Sequence, residues 1–288
     1  MKFGLSFLVF LIVIAVLTVI YFRVNPNHSQ NSPVSSTNQT PSNENTNAPL
    51  TTIIAQNLEV PWAIAFLPGG DMLVTERPGR VQLISSQNSN TTMIADLSQV
   101  KQIGEGGLLG IALDPDFESN NYVYLYYTYD GSGNNTKNRV VRMKFENGQL
   151  ENEEILVDTI PGASNHNGGR IKFGPDGFLY IATGDAQEPS LAQNKNSLAG
   201  KILRVTSDGK AAPENPFGNR VYSYGHRNVQ GLSWDSNGNL WATEHGRSGV
   251  QSGLDELNLI RNELKEKVGR DEFVLLEKRV MVLEKSKK

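Results

Sequence analysis

A hairpin motif recurs four times between residues 51 and 260, and this repeat constrains the fold more than any other feature of the sequence. Each copy has an apolar strand, a turn that contains Pro or Gly, and a second apolar or aromatic strand. The copies occupy residues 62–76, 109–128, 170–183 and 231–244. When they are anchored on Phe66, Leu113, Phe173 and Trp234, the copies are spaced 47, 60 and 61 residues apart.

Further short strands are predicted between the copies, and no long helical period interrupts them. These strands cover residues 80–85, 139–145, 201–205 and 220–224. Repeats of about 40–60 residues with about four short strands each are typical of a β-propeller, because a single blade cannot cover both of its faces. The sequence therefore predicts an all-β fold with about four propeller blades over residues 51–260. A β-sandwich is the alternative, although it does not explain why one hairpin recurs.

The N-terminal segment differs from this domain, since residues 3–22 are twenty residues without a charge. As a helix with a rise of about 1.5 Å per residue, this run spans roughly 30 Å, the thickness of a bilayer core. We expect residues 1–23 to form a transmembrane helix that anchors the chain in a membrane. A cleaved signal segment is the alternative, which would make the protein secreted. Either interpretation places the remaining chain outside the cytoplasmic membrane, at the cell surface or in a periplasm-like space.

Two other segments differ from the repeats in composition. Residues 24–50 are rich in Asn, Ser, Thr and Pro, which predicts a disordered linker. Residues 261–288 carry 15 charged residues in 28 and form a divergent tail without the hairpin motif. The net charge of −3 argues against nucleic-acid binding, and the absence of cysteine excludes disulfides, thiolate metal sites and a cysteine nucleophile.

Polar residues in the loops are candidates for chemistry, because loops at one end of a propeller channel converge from different blades. His166 precedes the third hairpin, and an imidazole suits base catalysis near neutral pH. Asp185 follows the same hairpin and could hold that imidazole in one tautomer. A histidine with a purely structural role on the surface is the alternative.

Three further loop clusters carry weaker signals. Glu105 lies in the glycine-rich "GEGGLLG", which is also typical of an ordinary turn. Arg227 in "YGHRNVQGL" offers planar donors for carboxylate or quinone oxygens, or it is an exposed turn residue. In "TEHGRSGVQSGLDELNLI", free carbonyls followed by Asp255 and Glu256 suit a hard cation such as Ca²⁺, although the spacing is not that of an EF-hand.

These clusters occur in a particular order along the chain. The order is "VPWAIAFLPGGDMLVTERPGRV", "GEGGLLGIALDPDF", "HNGGRIKFGPDGFLYIATGD", "LAGKILRV", "YGHRNVQGL" and "TEHG…DELNLI". Together they resemble the glucose/sorbosone dehydrogenase family, the soluble glucose and aldose sugar dehydrogenases that use pyrroloquinoline quinone (PQQ). The resemblance covers about residues 51–260, and the combination is specific although each motif alone is not.

The resemblance implies a six-bladed β-propeller with PQQ over the channel mouth and Ca²⁺ beneath it. It also implies oxidation of an aldose sugar at C1 to the lactone, with hydride transfer to PQQ and an external electron acceptor. By position, His166 matches the general base of the family and Asp185 the carboxylate that orients it. Arg227 and Asn228 match a pair that contacts the cofactor.

Other positions match the family's site less closely. Glu105 stands where some relatives have Gln as a cofactor or substrate contact, and Gln193 matches another polar site residue loosely. The backbone carbonyls of Gly246 and Arg247 fall where the family's Ca²⁺ ligands lie, and Glu256 is a further candidate ligand.

The sequence departs from the family's pattern after residue 260. The family continues with a Gly-Asn-Tyr-Gly-Trp-Pro-like segment and two further blades, which carry basic cofactor-binding residues and close the ring. We therefore expect a truncated or frame-shifted member that leaves an apolar face of the fourth blade exposed, or that self-associates. The alternatives to a sugar dehydrogenase are a catalytically inactive propeller that serves as a binding or structural module, and a propeller lactonase with a metal in its channel.

Overall fold

A computed structural model of the chain describes residues 51–131, 135–246 and 254–260. The first blade consists of β1 (Pro61–Phe66), β2 (Met72–Glu76), β3 (Arg80–Ile84) and β4 (Thr91–Asp96). The second consists of β5 (Leu108–Leu113), β6 (Tyr122–Asp130), β7 (Thr136–Glu146) and β8 (Gln149–Pro161). The third consists of β9 (Ile171–Phe173), β10 (Leu179–Ala182), β11 (Lys201–Val205) and β12 (Val221–Tyr224). The fourth consists of β13 (Val229–Trp234), β14 (Leu240–Glu244) and β15 (Glu256–Ile260).

Each blade is a separate antiparallel sheet whose strands follow one another in chain order. The leading strands lie innermost, because β1 packs beside β5 and β5 beside β9. Four consecutive sheets confirm the predicted all-β propeller with four blades and overturn the sandwich alternative, which requires two packed sheets. Two short helices, α1 (Phe117–Asn120) and α2 (Pro189–Gln193), lie in the connections.

The four predicted hairpins are the pairs β1–β2, β5–β6, β9–β10 and β13–β14. In the third pair, Ile171 lies opposite Ile181 and Phe173 opposite Leu179. The turn between these strands closes where the Gly174 N–H donates to the Phe178 carbonyl at 2.9 Å. The "GPDG" sequence therefore forms the predicted tight turn and fixes the separation of the two strands.

The apolar core lies between neighbouring blades, which explains the nearly continuous apolar run of β6. Val123, Leu125 and Tyr127 of this strand are buried in the cluster shared with the first blade. Tyr124 and Tyr126 point to the opposite face and are buried with the third blade. Because successive side chains of a strand alternate between faces, a strand between two blades is apolar on both sides.

The outer blades keep apolar side chains in contact with solvent. Ile64 and Phe66 of β1 are 50% and 64% exposed, and Leu257 and Leu259 of β15 are 66% and 36% exposed. Leu257 and Leu259 lie on alternate positions of β15, so they share one face of the fourth blade. The predicted exposure of an apolar face on this blade is thus observed.

Three predicted segments lie outside the described residues: the anchor at residues 1–23, the linker at residues 24–50 and the tail at residues 261–288. These assignments stay predictions. Within the described ranges, no helix has both the length and the apolar composition that a membrane crossing requires.

Candidate functional site

The site forms at one end of the blades because the chain enters each innermost strand and leaves each second strand at the same end. Residues at this end lie just before β5, β9 and β13, or just after β2, β10 and β14. They surround a cleft with a volume of about 180 Å³. The cleft is lined by Trp62, Arg77, Glu105, Asn167, Gly168, Gln230 and His245.

Backbone irregularities accompany this end of the innermost strands. The pairing register shifts between Pro61 and Ala63, between Leu108 and Ile111, and between Val229 and Gly231. Bulges of this kind bend a strand and redirect its side chains, and they are common beside functional sites. The innermost strands of the first, second and fourth blades are therefore irregular at the end that faces the cleft.

His166 and Asp185 form the hydrogen-bonded pair that the sequence predicts. His166 Nδ1 lies 2.8 Å from Asp185 Oδ1, and the two side chains are 17% and 4% exposed. The same carboxylate oxygen also accepts the Gln187 N–H at 2.9 Å. An ionised carboxylate only accepts hydrogen bonds, so the imidazole proton lies on Nδ1 and the lone pair on Nε2. This tautomer is the one that a general base requires.

The backbone of His166 has an unusual conformation, with φ at 59°. Left-handed φ values are uncommon outside glycine and are retained where surrounding contacts enforce them. Here the His166 N–H donates to Glu105 Oε2 at 2.9 Å, and the His166 carbonyl accepts the Ala186 N–H at 3.2 Å. Neighbouring loops on both sides thus set the direction of the imidazole.

Glu105 links three blades at this end. Besides the His166 N–H, its Oε2 accepts a hydrogen bond from Asn228 Nδ2 at 3.2 Å. The loop before β5 is thereby joined to the loops before β9 and β13. The structure gives Glu105 a contact with the backbone of the predicted base, while its contact with a cofactor stays a prediction.

Asn228 is almost fully buried, with 1% of its surface exposed. Its Oδ1 accepts the Gly168 N–H at 3.0 Å and a hydrogen bond from Gln230 Nε2 at 2.9 Å. Its backbone also forms an isolated β-bridge with Gly184. The structure therefore fixes Asn228 against the loops on either side of the third hairpin, while its contact with a cofactor stays a prediction.

Arg227 lies beside Asn228 with a partly buried side chain. Its Nη1 donates to the His245 carbonyl at 3.0 Å, and its own carbonyl accepts the Asp185 N–H at 2.8 Å. A guanidinium has five N–H donors, so the group can bind an anion while it keeps this backbone contact.

Among the described residues, Glu105 is the one predicted site residue that lines the cleft, and His166, Asp185, Arg227 and Asn228 lie next to it in the surrounding loops. The other predicted residues lie farther from the lining or outside the described part. Gln193 ends α2, with an exposed surface and its amide beside Gly225. The Gly246 N–H donates to Asp255 Oδ1 at 2.8 Å, and Glu256 accepts a hydrogen bond from Asn258 at 3.2 Å. Arg247 lies outside the described residues.

Sequence reasoning missed Trp62, Arg77 and Gln230 as cleft residues. Arg77 donates through Nε and Nη2 to the Gly106 carbonyl at 3.2 and 2.8 Å, so it braces the glycine-rich loop. Alignment of the four hairpins could have found it. Arg77 directly follows β2 just as His245 directly follows β14.

Lys201 holds the segment that follows Asp185, although its side chain has no carboxylate partner among its hydrogen bonds. The buried Nζ donates to the carbonyls of Leu191, Ala192 and Ala199 at 2.8, 2.8 and 2.6 Å. Burial lowers the pKa of this ammonium group to about 8. The three acceptors use all three donors of the ammonium group.

Replacing Lys201 with Met is expected to lower the free energy of unfolding by about 3 kcal/mol, since three carbonyls each lose the hydrogen bond from Nζ, although those of Leu191 and Ala192 keep a backbone donor. Lys210→Met is the matched control, because Lys210 pairs with Asp208 on the surface with a 79% exposed side chain. The control is expected to leave the free energy of unfolding essentially unchanged, because solvent screens this exposed pair. Urea denaturation of the full-length chain measures both values, and equal stability of the two variants would contradict this role of Lys201.

Comparison with known proteins supports the resemblance seen in the sequence. The model of the family described as Glucose / Sorbosone dehydrogenase matches residues 58–264. Aldose sugar dehydrogenase YliI of Escherichia coli is 33% identical over 219 residues, which cover 72% of this chain and 58% of that protein. Quinoprotein glucose dehydrogenase B of Acinetobacter calcoaceticus is 28% identical over 241 residues, or 72% and 50% of the two chains.

Solved structures give the same result. The PQQ-bound aldose sugar dehydrogenase of Streptomyces coelicolor matches with a TM-score of 0.67 and 45% identity, over 72% of this chain and 62% of that chain. The chain spans between half and three-fifths of the length of the two curated relatives. Because the family model covers most of the chain, the protein belongs to the glucose/sorbosone dehydrogenase family.

Proposed function

We propose that the chain binds PQQ at this cleft and oxidises an aldose sugar at C1 to the lactone. The observation that carries the proposal is the His166–Asp185 pair, with Nδ1 and Oδ1 2.8 Å apart at the cleft end of the blades. The Asp185 carboxylate fixes the tautomer in which His166 can act as a base. Membership of the family and the names of the relatives from E. coli and S. coelicolor indicate the substrate class and the cofactor.

The chemistry of the cleft fits such a cofactor. PQQ is a flat quinone that carries three carboxylates, so its site requires cationic and amide donors. The cleft lining supplies Arg77 and Gln230, and Arg227 lies beside it against the His245 carbonyl. We assign Arg227 and Asn228 to the cofactor, with Arg227 as the group that binds a carboxylate or a quinone oxygen.

The proposed reaction needs one proton acceptor and one hydride acceptor. His166 Nε2 takes the proton of the C1 hydroxyl, and Asp185 stabilises the resulting imidazolium through Nδ1–H. When bound, PQQ supplies the acceptor for the hydride that leaves C1. With the proton on His166 and the hydride removed, the sugar carbon becomes the lactone carbonyl. Glu105 keeps His166 in its left-handed conformation throughout, since it binds the backbone and not the ring.

We further propose that Ca²⁺ supports PQQ binding, and that the carbonyls of Gly246 and Arg247 and the carboxylate of Glu256 would hold it. Hard oxygen donors of this kind suit Ca²⁺. Within the described ranges, no group of three or more His, Asp or Glu side chains is placed to share a metal. The proposal therefore rests on the oxygen-donor chemistry of these residues and on membership of the family.

Removal of Ca²⁺ with a chelator is expected to weaken PQQ binding by about tenfold or more, since the ion would neutralise part of the cofactor's negative charge. Adding Ca²⁺ back is expected to restore the affinity, whereas Mg²⁺ is expected to restore less because it demands a smaller octahedral site. Absorbance titration of PQQ measures the affinity. An affinity that the chelator leaves unchanged would contradict the metal site.

The proposed function itself is tested by adding PQQ and Ca²⁺ to the purified full chain, supplying glucose and other aldoses, and following the reduction of a dye. The expected result is dye reduction that depends on both PQQ and sugar. Dye reduction that occurs equally without PQQ, or none with any aldose, would contradict it. An external electron acceptor takes the place of the dye in the cell.

We also propose that the four described blades are part of a six-bladed arrangement. They match 62% of the S. coelicolor chain, so that relative is longer than the matched blades. The exposed side chains of β1 and β15 support a second proposal, that copies of this chain self-associate through these faces. Analytical ultracentrifugation of the full chain tests the second proposal, and a monomer at all concentrations would contradict it.

A membrane-anchored, extracytoplasmic location remains our proposal, supported by the uncharged run at residues 3–22. Cell fractionation tests it: full-length protein in the membrane fraction supports the anchor, and a shortened soluble form supports cleavage instead. Full-length protein in the cytosol would contradict both interpretations.

A further inference from the structure

We propose that Glu244, together with His226 and Ser223, is a positioning unit that holds the backbone of Arg227 and Asn228 in the conformation that binds the cofactor. The inference rests on the proposed function for its link to PQQ. Its structural part, the control of the Arg227 backbone, stands on the hydrogen bonds of these residues alone.

A buried chain of hydrogen bonds defines the unit. His226 Nε2 lies 2.8 Å from Ser223 Oγ, and His226 Nδ1 lies 2.9 Å from Glu244 Oε2. The His226 and Glu244 side chains are only 8% and 5% exposed. The order Ser–His–carboxylate is that of a hydrolytic triad, but here the carboxylate also binds the backbone N–H of Arg227. We therefore assign the chain of hydrogen bonds to holding this loop.

Glu244 also binds the backbone that carries the cofactor residues. Its Oε1 accepts the N–H of Arg227, while its Oε2 accepts a further hydrogen bond from Asn258 Nδ2 at 3.1 Å. On the other side, the Arg227 carbonyl accepts the Asp185 N–H at 2.8 Å. The backbone around Arg227 is therefore held between the carboxylate of the fourth blade and the loop that orients His166.

The charge of Glu244 matters for this role. Burial alone would raise the pKa of its carboxyl group, but hydrogen bonding to His226 and the backbone N–H groups of Arg227 and Asn228 hold that pKa below the usual 4.5. Glu244 is therefore ionised at neutral pH, and both of its oxygens accept hydrogen bonds. An amide has only one acceptor oxygen, so Gln at this position would place an N–H against either Arg227 N–H or His226.

Hydrogen exchange of the full chain tests the structural part without any cofactor. Glu244→Gln is expected to accelerate amide exchange about tenfold or more in residues 225–228 and 184–186, because one amide oxygen cannot serve both the Arg227 N–H and the donors that bind Oε2 now. Asp114→Asn is the matched control. Asp114 is also a buried carboxylate, hydrogen-bonded by Tyr124 at 2.7 Å, but it lies at the opposite end of the blades. The control is expected to leave exchange in these two segments unchanged.

PQQ titration tests the link to the site. Glu244→Gln is expected to raise the dissociation constant of PQQ by about tenfold or more, while kcat at saturating PQQ changes by less than about threefold. If Glu244→Gln does not fold, Ser223→Ala and Ser223→Thr replace it. The first removes the hydroxyl that binds His226 and is expected to weaken PQQ binding, and the second retains the hydroxyl and is expected to keep the wild-type affinity.

The outcomes separate the inference from the function on which it rests. If the wild-type chain does not bind PQQ, the proposed function fails, and hydrogen exchange still decides whether Glu244 controls the Arg227 backbone. If the wild type binds PQQ and Glu244→Gln leaves both exchange and affinity unchanged, the positioning unit is wrong. A loss of kcat at saturating PQQ with unchanged affinity would also overturn it.

Discussion

Replacing His166 with Ala is expected to lower kcat for aldose oxidation by about 10²- to 10⁴-fold, the range typical of a lost general base. The dissociation constant of PQQ is expected to change by less than about threefold, because the ring contacts Asp185 and the residues assigned to the cofactor are Arg227 and Asn228. Dye reduction at saturating sugar measures kcat, and absorbance titration measures cofactor affinity.

Two controls distinguish lost chemistry from lost structure in this variant. Urea denaturation is expected to show that His166→Ala folds, since the backbone contacts of this residue with Glu105 and Ala186 do not involve the ring. Added imidazole is expected to restore part of the rate by supplying the missing base. A variant that folds, binds PQQ and keeps kcat within about threefold of the wild type would contradict the assignment of His166 as the base.

Asp185→Asn is expected to lower kcat by about 10³- to 10⁴-fold with little change in KM, although the substitution removes only one charge. The carboxylate now accepts the Nδ1 proton of His166 at 2.8 Å. A neutral amide no longer stabilises the imidazolium that forms when His166 takes the proton, and an amide turned with its nitrogen in that place would move the ring proton to Nε2 and block the base. A comparable loss follows the same substitution in serine protease triads, where it also produces the wrong tautomer.

The matched control for Asp185→Asn is Asp176→Asn. Asp176 accepts hydrogen bonds from Tyr180 and Arg204, both at 2.9 Å, in the turn at the other end of the same hairpin. This control is expected to reduce stability and leave kcat unchanged. Equal losses of kcat in the two variants would show that Asp185 acts through stability and not through the tautomer of His166.

The inner half of each blade was predictable from the sequence, whereas part of the outer half was not. Strands such as β6 are buried on both faces and appear as apolar runs that periodicity detects. The outermost strands β4 and β8 were not assigned. In β8, a run of five exposed residues separates the buried positions, so its pattern does not differ from that of a loop.

The site shows a similar division. His166 and Asp185 could be paired from the sequence because they flank one hairpin, whose geometry fixes the distance between its ends. Glu244 and Lys201 were missed as functional positions, because the partners of a buried charge come from other parts of the fold. Sequence alone gives no signal that the Lys201 ammonium group binds three carbonyls, or that Glu244 binds the backbone of Arg227.

We propose that the described blades present a PQQ site built around His166, Asp185, Arg227 and Asn228. Equilibrium titration of the full chain with PQQ in the presence of Ca²⁺, compared with Arg227→Gln, tests this claim most directly. We expect saturable binding of one PQQ per chain and an affinity at least about tenfold weaker in Arg227→Gln, which loses a charge-assisted contact. Absence of saturable binding by the wild-type chain, or equal affinity of the two proteins, would contradict it.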